Sequence, residues 1–203
     1  MKPLISLFAT SCIVVLPYGV EESNAMPPNA TDTNVRELLN GREFKEERQQ
    51  LIDMAERAFP AFDFVFSDPK ANSHEIARVF GVLAQVRVDR RQFLDHAIVG
   101  LAHSDASVRW AAVRLLEDIG SSDEASPVVA LLSDGEKVAD KVIAYAAAKT
   151  LSVIGGRREV TAMDAWLLGS AHRDDQHLRA HVKKCREELD KRLKAAAKAK
   201  AKR

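Results

Sequence analysis

The feature that most constrains this chain is a segment that recurs at a spacing of 35 residues. Val108-Arg109-Trp110-Ala111-Ala112-Val113-Arg114-Leu115-Leu116-Glu117-Asp118-Ile119-Gly120 aligns with Ile143-Ala144-Tyr145-Ala146-Ala147-Ala148-Lys149-Thr150-Leu151-Ser152-Val153-Ile154-Gly155. A further 35 residues lead to Leu178–Leu189, and a looser copy, Ile76–Val86, lies upstream at a slightly shorter offset. A fixed period of this length means stacked supersecondary units, none of which can bury its own apolar face alone.

Each block has a helical apolar period and is preceded by a second segment with an apolar stripe: Arg91–Ala102, Asp123–Leu132 and Glu159–Ala171. Polar turns containing Ser67-Asp68, Ser104-Asp105 and Ser133-Asp134 separate the segments. Ser and Asp suit such places because their oxygens accept hydrogen bonds from the unpaired amides of a starting helix. Gly120 and Gly155-Gly156 are expected to end helices in the left-handed conformation, which glycine enters freely. Upstream, helical periodicity begins at Phe44 and runs through Leu51, Ile52, Met54, Ala55 and Ala58, where Pro60 is expected to stop or kink the helix. Phe59, Phe62, Phe64 and Phe66 read as an aromatic plug in the first helix pair.

Asp105, Val108-Arg109, Ala111-Ala112, Leu115-Leu116 and Ile119-Gly120 resemble the second-helix pattern of HEAT repeats. Asp140, Ile143, Ala146-Ala147, Leu151 and Ile154-Gly155 repeat it, with Ala144 where the pattern expects Arg. The resemblance is closest over residues 90–156 and covers roughly two thirds of the chain after residue 25. It implies an all-α fold: a single-domain, short right-handed α-solenoid of about four antiparallel helix pairs. Proteins of this class act mostly as binding scaffolds and complex organisers, so the resemblance implies a fold more sharply than a function.

The N-terminus is of another kind. Lys2 precedes an apolar run, Leu4–Leu16, which Pro17 breaks, and Ser23-Asn24-Ala25 places small residues before a cleavage point. Basic, apolar and small-residue regions in that order read as a secretory signal over residues 1–25. The run is shorter than the roughly 20 residues that span a bilayer. The chain is therefore expected to be exported, periplasmic or secreted, after cleavage near Ala25; the alternative is an uncleaved segment that anchors it to a membrane. Residues 26–42 mix Pro, Asn, Thr and Gly without period and read as a flexible leader; the repeat domain is expected over 43–190. Asn29-Ala30-Thr31 fits a glycosylation acceptor.

The tail 191–203 holds seven basic residues and no acid, whereas residues 26–190 hold 22 basic and 27 acidic. Ala and Lys favour helix, so the tail reads as an extension of the final helix or as a contact for a polyanion.

The repeat alignment sorts the second helices into faces. Positions 108, 111, 112, 115, 116 and 119 are expected inside. Outside lie Trp110 and Arg114, then Tyr145 and Lys149, then Ala180 and Lys184, an aromatic and cationic row that suits a protein partner. His177, His181 and Cys185 recur every four residues and carry zinc-ligand chemistry. Leu178, Val182, Cys185 and Leu189 also form an apolar stripe, which assigns Cys185 to the core instead. No phosphate-binding loop, nucleophile elbow, paired-cysteine or zinc-protease motif occurs. The chain thus reads as an exported, non-enzymatic adaptor that binds a protein partner through its second helices, with no cofactor and no small-molecule substrate implied. The alternatives are a polyanion-binding module using the tail and the Arg114, Lys149 and Lys184 row, and a HEAT-like enzyme, which an export signal disfavours.

Overall fold

A computed structural model describes residues 30–41, 44–132, 138–169 and 174–202. The signal segment, Asn29, the Ser133-Asp134 turn and Arg203 lie outside the described residues. Within them every regular element is helical and there is no strand, so the fold is all-α.

The helices are α1 (Ala30–Asn40), α2 (Phe44–Met54), α3 (Phe59–Ser67), α4 (Ser73–Leu83), α5 (Leu94–Gly100), α6 (Ala106–Ile119), α7 (Ala125–Ala130), α8 (Val138–Ile154), α9 (Arg157–Leu168) and α10 (Gln176–Ala201). Short 3-10 turns, Ala55–Ala58 and Arg91–Phe93, lead into α3 and α5. The helices α4, α6, α8 and α10 pack each on the next, while α5 lies on α6, α7 on α8 and α9 on α10.

The reason is visible in which residues are buried. In α6, Val108, Ala111, Ala112, Val113, Leu115 and Leu116 leave water entirely or nearly so. The inward face is thus wider than the alignment suggested: it includes Val113, and Ile119 at its edge is only half buried. α8 is enclosed further, because it has α6 on one side, α10 on another and α7 behind it. From 141 to 154, nine of its residues are buried, and Lys141, Val142, Tyr145, Lys149 and Val153 reach solvent. Ala144, Ala147 and Ala148 let these neighbours approach closely. Thr150 takes the place of Leu115, and its hydroxyl donates to the Val113 carbonyl at 3.2 Å, which satisfies the one polar atom placed there.

Several local expectations are corrected. Residues 30–40 are not a flexible leader: they form α1, with Val35 and Leu39 fully buried against the first helices. The break before α3 falls at Ala55, whose φ of 47° is left-handed, and Pro60 instead sits in the first turn of α3, where its missing N–H costs no helical bond. Neither Gly120 nor Gly155 is left-handed, since no described glycine has positive φ. They are small because a Cβ would stand 2.6 Å from the Leu116 carbonyl oxygen in one case and 2.5 Å from the Leu151 carbonyl oxygen in the other. Asp105 does cap α6, accepting from the Ser107 amide at 2.8 Å. α4, however, is capped by Asn72 in a reciprocal pair with Glu75, not by Asp68.

The arginine of the repeat pattern has a mechanical task. Arg109 donates to the His103 and Ser104 carbonyls in the turn after α5, at 2.8 and 2.9 Å. Arg179, 70 residues on, donates to the Leu167 carbonyl at the end of α9. Each guanidinium thereby holds the end of one helix to the start of the next and satisfies carbonyls that the helix leaves open. Removing Arg179 by substitution with Ala should lower stability by about 1.5–3 kcal/mol, the range for hydrogen bonds made by charged groups, as read by urea denaturation. A midpoint equal to that of the wild type would remove the arginine from this role.

Candidate functional site

The exposed side of the second helices brings the sequence-selected residues onto neighbouring elements. α6 presents Trp110 and Arg114 one turn apart, α8 presents Tyr145 and Lys149 at the equivalent places, and α10 presents Ala180 and Lys184. Trp110 is 42% exposed. The other tryptophan differs: Trp166 is half buried and its indole N–H donates to the Leu132 carbonyl at 2.8 Å. Two apolar side chains that the alignment did not select extend the row along α8, Val142 at 53% and Val153 at 40% exposed. Their signal was present in the sequence as valines on the face opposite the inward positions of that helix.

The cations of the row are not equivalent. Arg114 is paired with Glu117, one turn along α6, at 2.5 Å. Lys149 and Lys184 make no ion pair with any described side chain. Both are near enough to Cys185 to favour its thiolate, against the larger effect of burial. Lys141, at the start of α8, pairs with Asp175 at 2.9 Å, the same carboxylate that caps α10 by accepting from the Leu178 amide.

Tyr145 is half buried because His181 of α10 leans on it, ring centres 4.9 Å apart and planes tilted by 52°. The His181 Nε2 lies 3.2 Å from the Tyr145 carbonyl oxygen and 3.5 Å from the Cys185 sulfur. Burial raises the Tyr145 hydroxyl above its ordinary value, so it stays a neutral donor at physiological pH. Burial also pushes the Cys185 thiol up to about 11, with Glu188 adding to the effect, so the sulfur is a protonated core group and a poor nucleophile. His177 is exposed one turn before His181. Among the described residues no group of three His, Cys, Asp or Glu side chains is arranged to hold a metal ion.

Every described carboxyl that departs clearly from its ordinary value is displaced downward: Asp68, Glu75, Asp105, Glu124, Asp175 and Asp190. Hydrogen-bond donors and cations hold these groups as carboxylates, the reverse of what a general acid working near neutrality needs. The open groove of about 930 Å³ between α7 and α9 carries Arg157, Arg158, Asp123 and Glu159. Glu159 is already engaged, accepting from the Gly156 amide at 2.7 Å. No described helix is long and apolar enough to cross a membrane. No family model, no curated protein and no solved structure matches the chain.

Proposed function

We propose that the chain is a short right-handed HEAT-like solenoid, exported from the cytoplasm, that serves as a non-enzymatic adaptor and binds a protein partner through the face formed by α6, α8 and α10. The helix contacts support the solenoid reading, since α4, α6, α8 and α10 follow one another while α5, α7 and α9 each lie on the member that comes after it in sequence. The observation that carries the functional reading is the exposure of Trp110 on α6 and of Val142 and Val153 on α8, on a face that also holds Lys149 of α8 and Lys184 of α10, whose ammoniums make no ion pair with any described side chain. Large apolar groups held in water are a standing cost, and a partner that covers them recovers it. Aromatic anchors beside cations suit a protein segment that carries an apolar side chain flanked by carboxylates.

The test is capture of an identified partner from the native envelope, followed by titration with purified proteins. Trp110→Ala should weaken binding by more than tenfold, corresponding to a loss above ~1.4 kcal/mol for a buried anchor, without changing helicity. The pair Lys149→Gln and Lys184→Gln should slow association and flatten its salt dependence. Unchanged affinity in both the Trp110 variant and the double lysine variant would remove this face from the binding site.

A further inference from the structure

Beyond the protein-binding face, one surface of the molecule has a chemistry of its own. α10 runs for 26 residues, and its apolar stripe, Leu178, Val182, Cys185 and Leu189, is covered by α8 and α9. On the opposite side of the helix, Lys183, Lys184, Lys191, Lys194, Lys198 and Lys202 fall within an arc of about 100°. All six are exposed. Glu187 is the only acid within that arc. At 1.5 Å per residue the stripe is about 29 Å long and lies on one unbroken helix. Lys194 is tied to Asp190 at 2.6 Å; Lys183, Lys184, Lys191, Lys198 and Lys202 make no ion pair with any described side chain.

We infer that this face of α10 adsorbs to an anionic lipid bilayer. A row of charges confined to one side of a single helix meets a flat surface along its whole length, whereas the phosphates of a duplex curve away from it. The row consists of ammonium groups alone, without the guanidinium forks, amides or aromatic rings that read bases or stack on them. Beyond Leu193 the helix carries only Ala and Lys, so nothing bulky enters the acyl region and attachment is electrostatic and reversible. Residues 26–190 without Lys183 and Lys184 hold 20 basic and 27 acidic residues, and this body is repelled by the same surface. The molecule is therefore held by one end with its body turned outward. This surface meets the Trp110 face at Lys184, but Lys191, Lys194, Lys198 and Lys202 lie outside that face, so either can fail without the other.

Sedimentation of the full chain with vesicles tests the inference. Vesicles of about 30% phosphatidylserine in phosphatidylcholine should bind the protein, and pure phosphatidylcholine should not. Raising salt from about 0.1 M to about 1 M should release it, because the screening length shrinks to about 3 Å. Changing Lys191, Lys194, Lys198 and Lys202 together to Gln should weaken binding on the order of 10²- to 10³-fold. The same four changed to Arg should retain it, and circular dichroism should find both helical. Any contribution from the apolar Leu4–Leu16 segment is common to neutral vesicles and to both variants. Absence of binding to anionic vesicles, or binding that the Gln variant leaves intact, would overturn the inference. So would tighter binding to a duplex of about 20 base pairs at the same salt, which would make the face one for nucleic acid.

Discussion

Leu116→Asp is expected to lower the melting temperature by more than 10 °C and to reduce helicity at room temperature. Leu116 is fully buried in α6, which packs on both α4 and α8. A carboxylate there has no partner and must either be hydrated, which opens the core, or be protonated at a cost. Removal of the leucine packing alone costs about 2–5 kcal/mol, and the buried polar group adds to that. A domain of this size has roughly 5–15 kcal/mol in total, and each kcal/mol corresponds to about 2–4 °C. Because each unit is held mainly by its neighbours, the loss should spread to α4 and α8 instead of staying in α6. Ala112→Asp, equally buried, should behave alike. Retention of wild-type melting by either variant would show that the inward face of α6 is assigned wrongly.

Glu75→Ala should release α1 from the body at a cost of about 3 kcal/mol. The Glu75 carboxylate is 3% exposed and accepts from Arg36 Nε at 3.0 Å, from the Asn40 side chain at 2.6 Å and from the Asn72 amide at 3.0 Å. Arg36 also bonds Asp68 at 2.7 Å, so one guanidinium ties α1 to both ends of the α3–α4 turn. Burial by itself would raise the Glu75 carboxyl. The bonds from Arg36, Asn40 and Asn72 outweigh it and hold the group below its ordinary value. Asp68 lies low through the Lys70 amide and Arg36. Both groups are more acidic folded than unfolded, so protons favour the unfolded state. Their stabilisation is full above the ordinary carboxylate range near pH 4 and is lost as the pH falls through the lower folded values. Limited proteolysis within residues 30–41 should therefore accelerate in acid. Glu75→Gln should already be cleaved faster at neutral pH and respond less to acid; a wild-type profile in that variant would dissolve the latch.

These two sites divide what a reader of the sequence can and cannot see. The burial of Leu116 was legible because Leu151 recurs 35 residues later in the same relation to its neighbours, and period is a local property. The docking of α1 was not, because its 11 residues hold few apolar groups and its attachment is a set of polar bonds between residues 32 to 39 positions apart. Such pairs leave no period to read. The glycines failed for another reason: Gly120 and Gly155 were expected for their torsional freedom and are required for their size, and only the position of a carbonyl four residues back distinguishes the two. At the candidate site, Trp110, Tyr145, Lys149 and Lys184 could be placed from the alignment alone. The neutralisation of Arg114 by Glu117 was readable as a three-residue spacing on one helix. The tilted contact of His181 with Tyr145 needed two helices to be brought together.

The enclosure of α8 limits how this molecule can change. A helix hemmed in on three sides has almost no neutral positions: enlarging Ala147 or Ala148 would push on α6, α7 or α10. Within residues 141–154, substitutions that leave the packing intact are confined to Val142, Lys149, Val153 and the paired Lys141, while Tyr145 can change only with its contact to His181. Drift and selection at the centre of the chain therefore act on the same handful of side chains. The surface proposed for a partner can thus be retuned one residue at a time, on a frame too tight to vary beneath it.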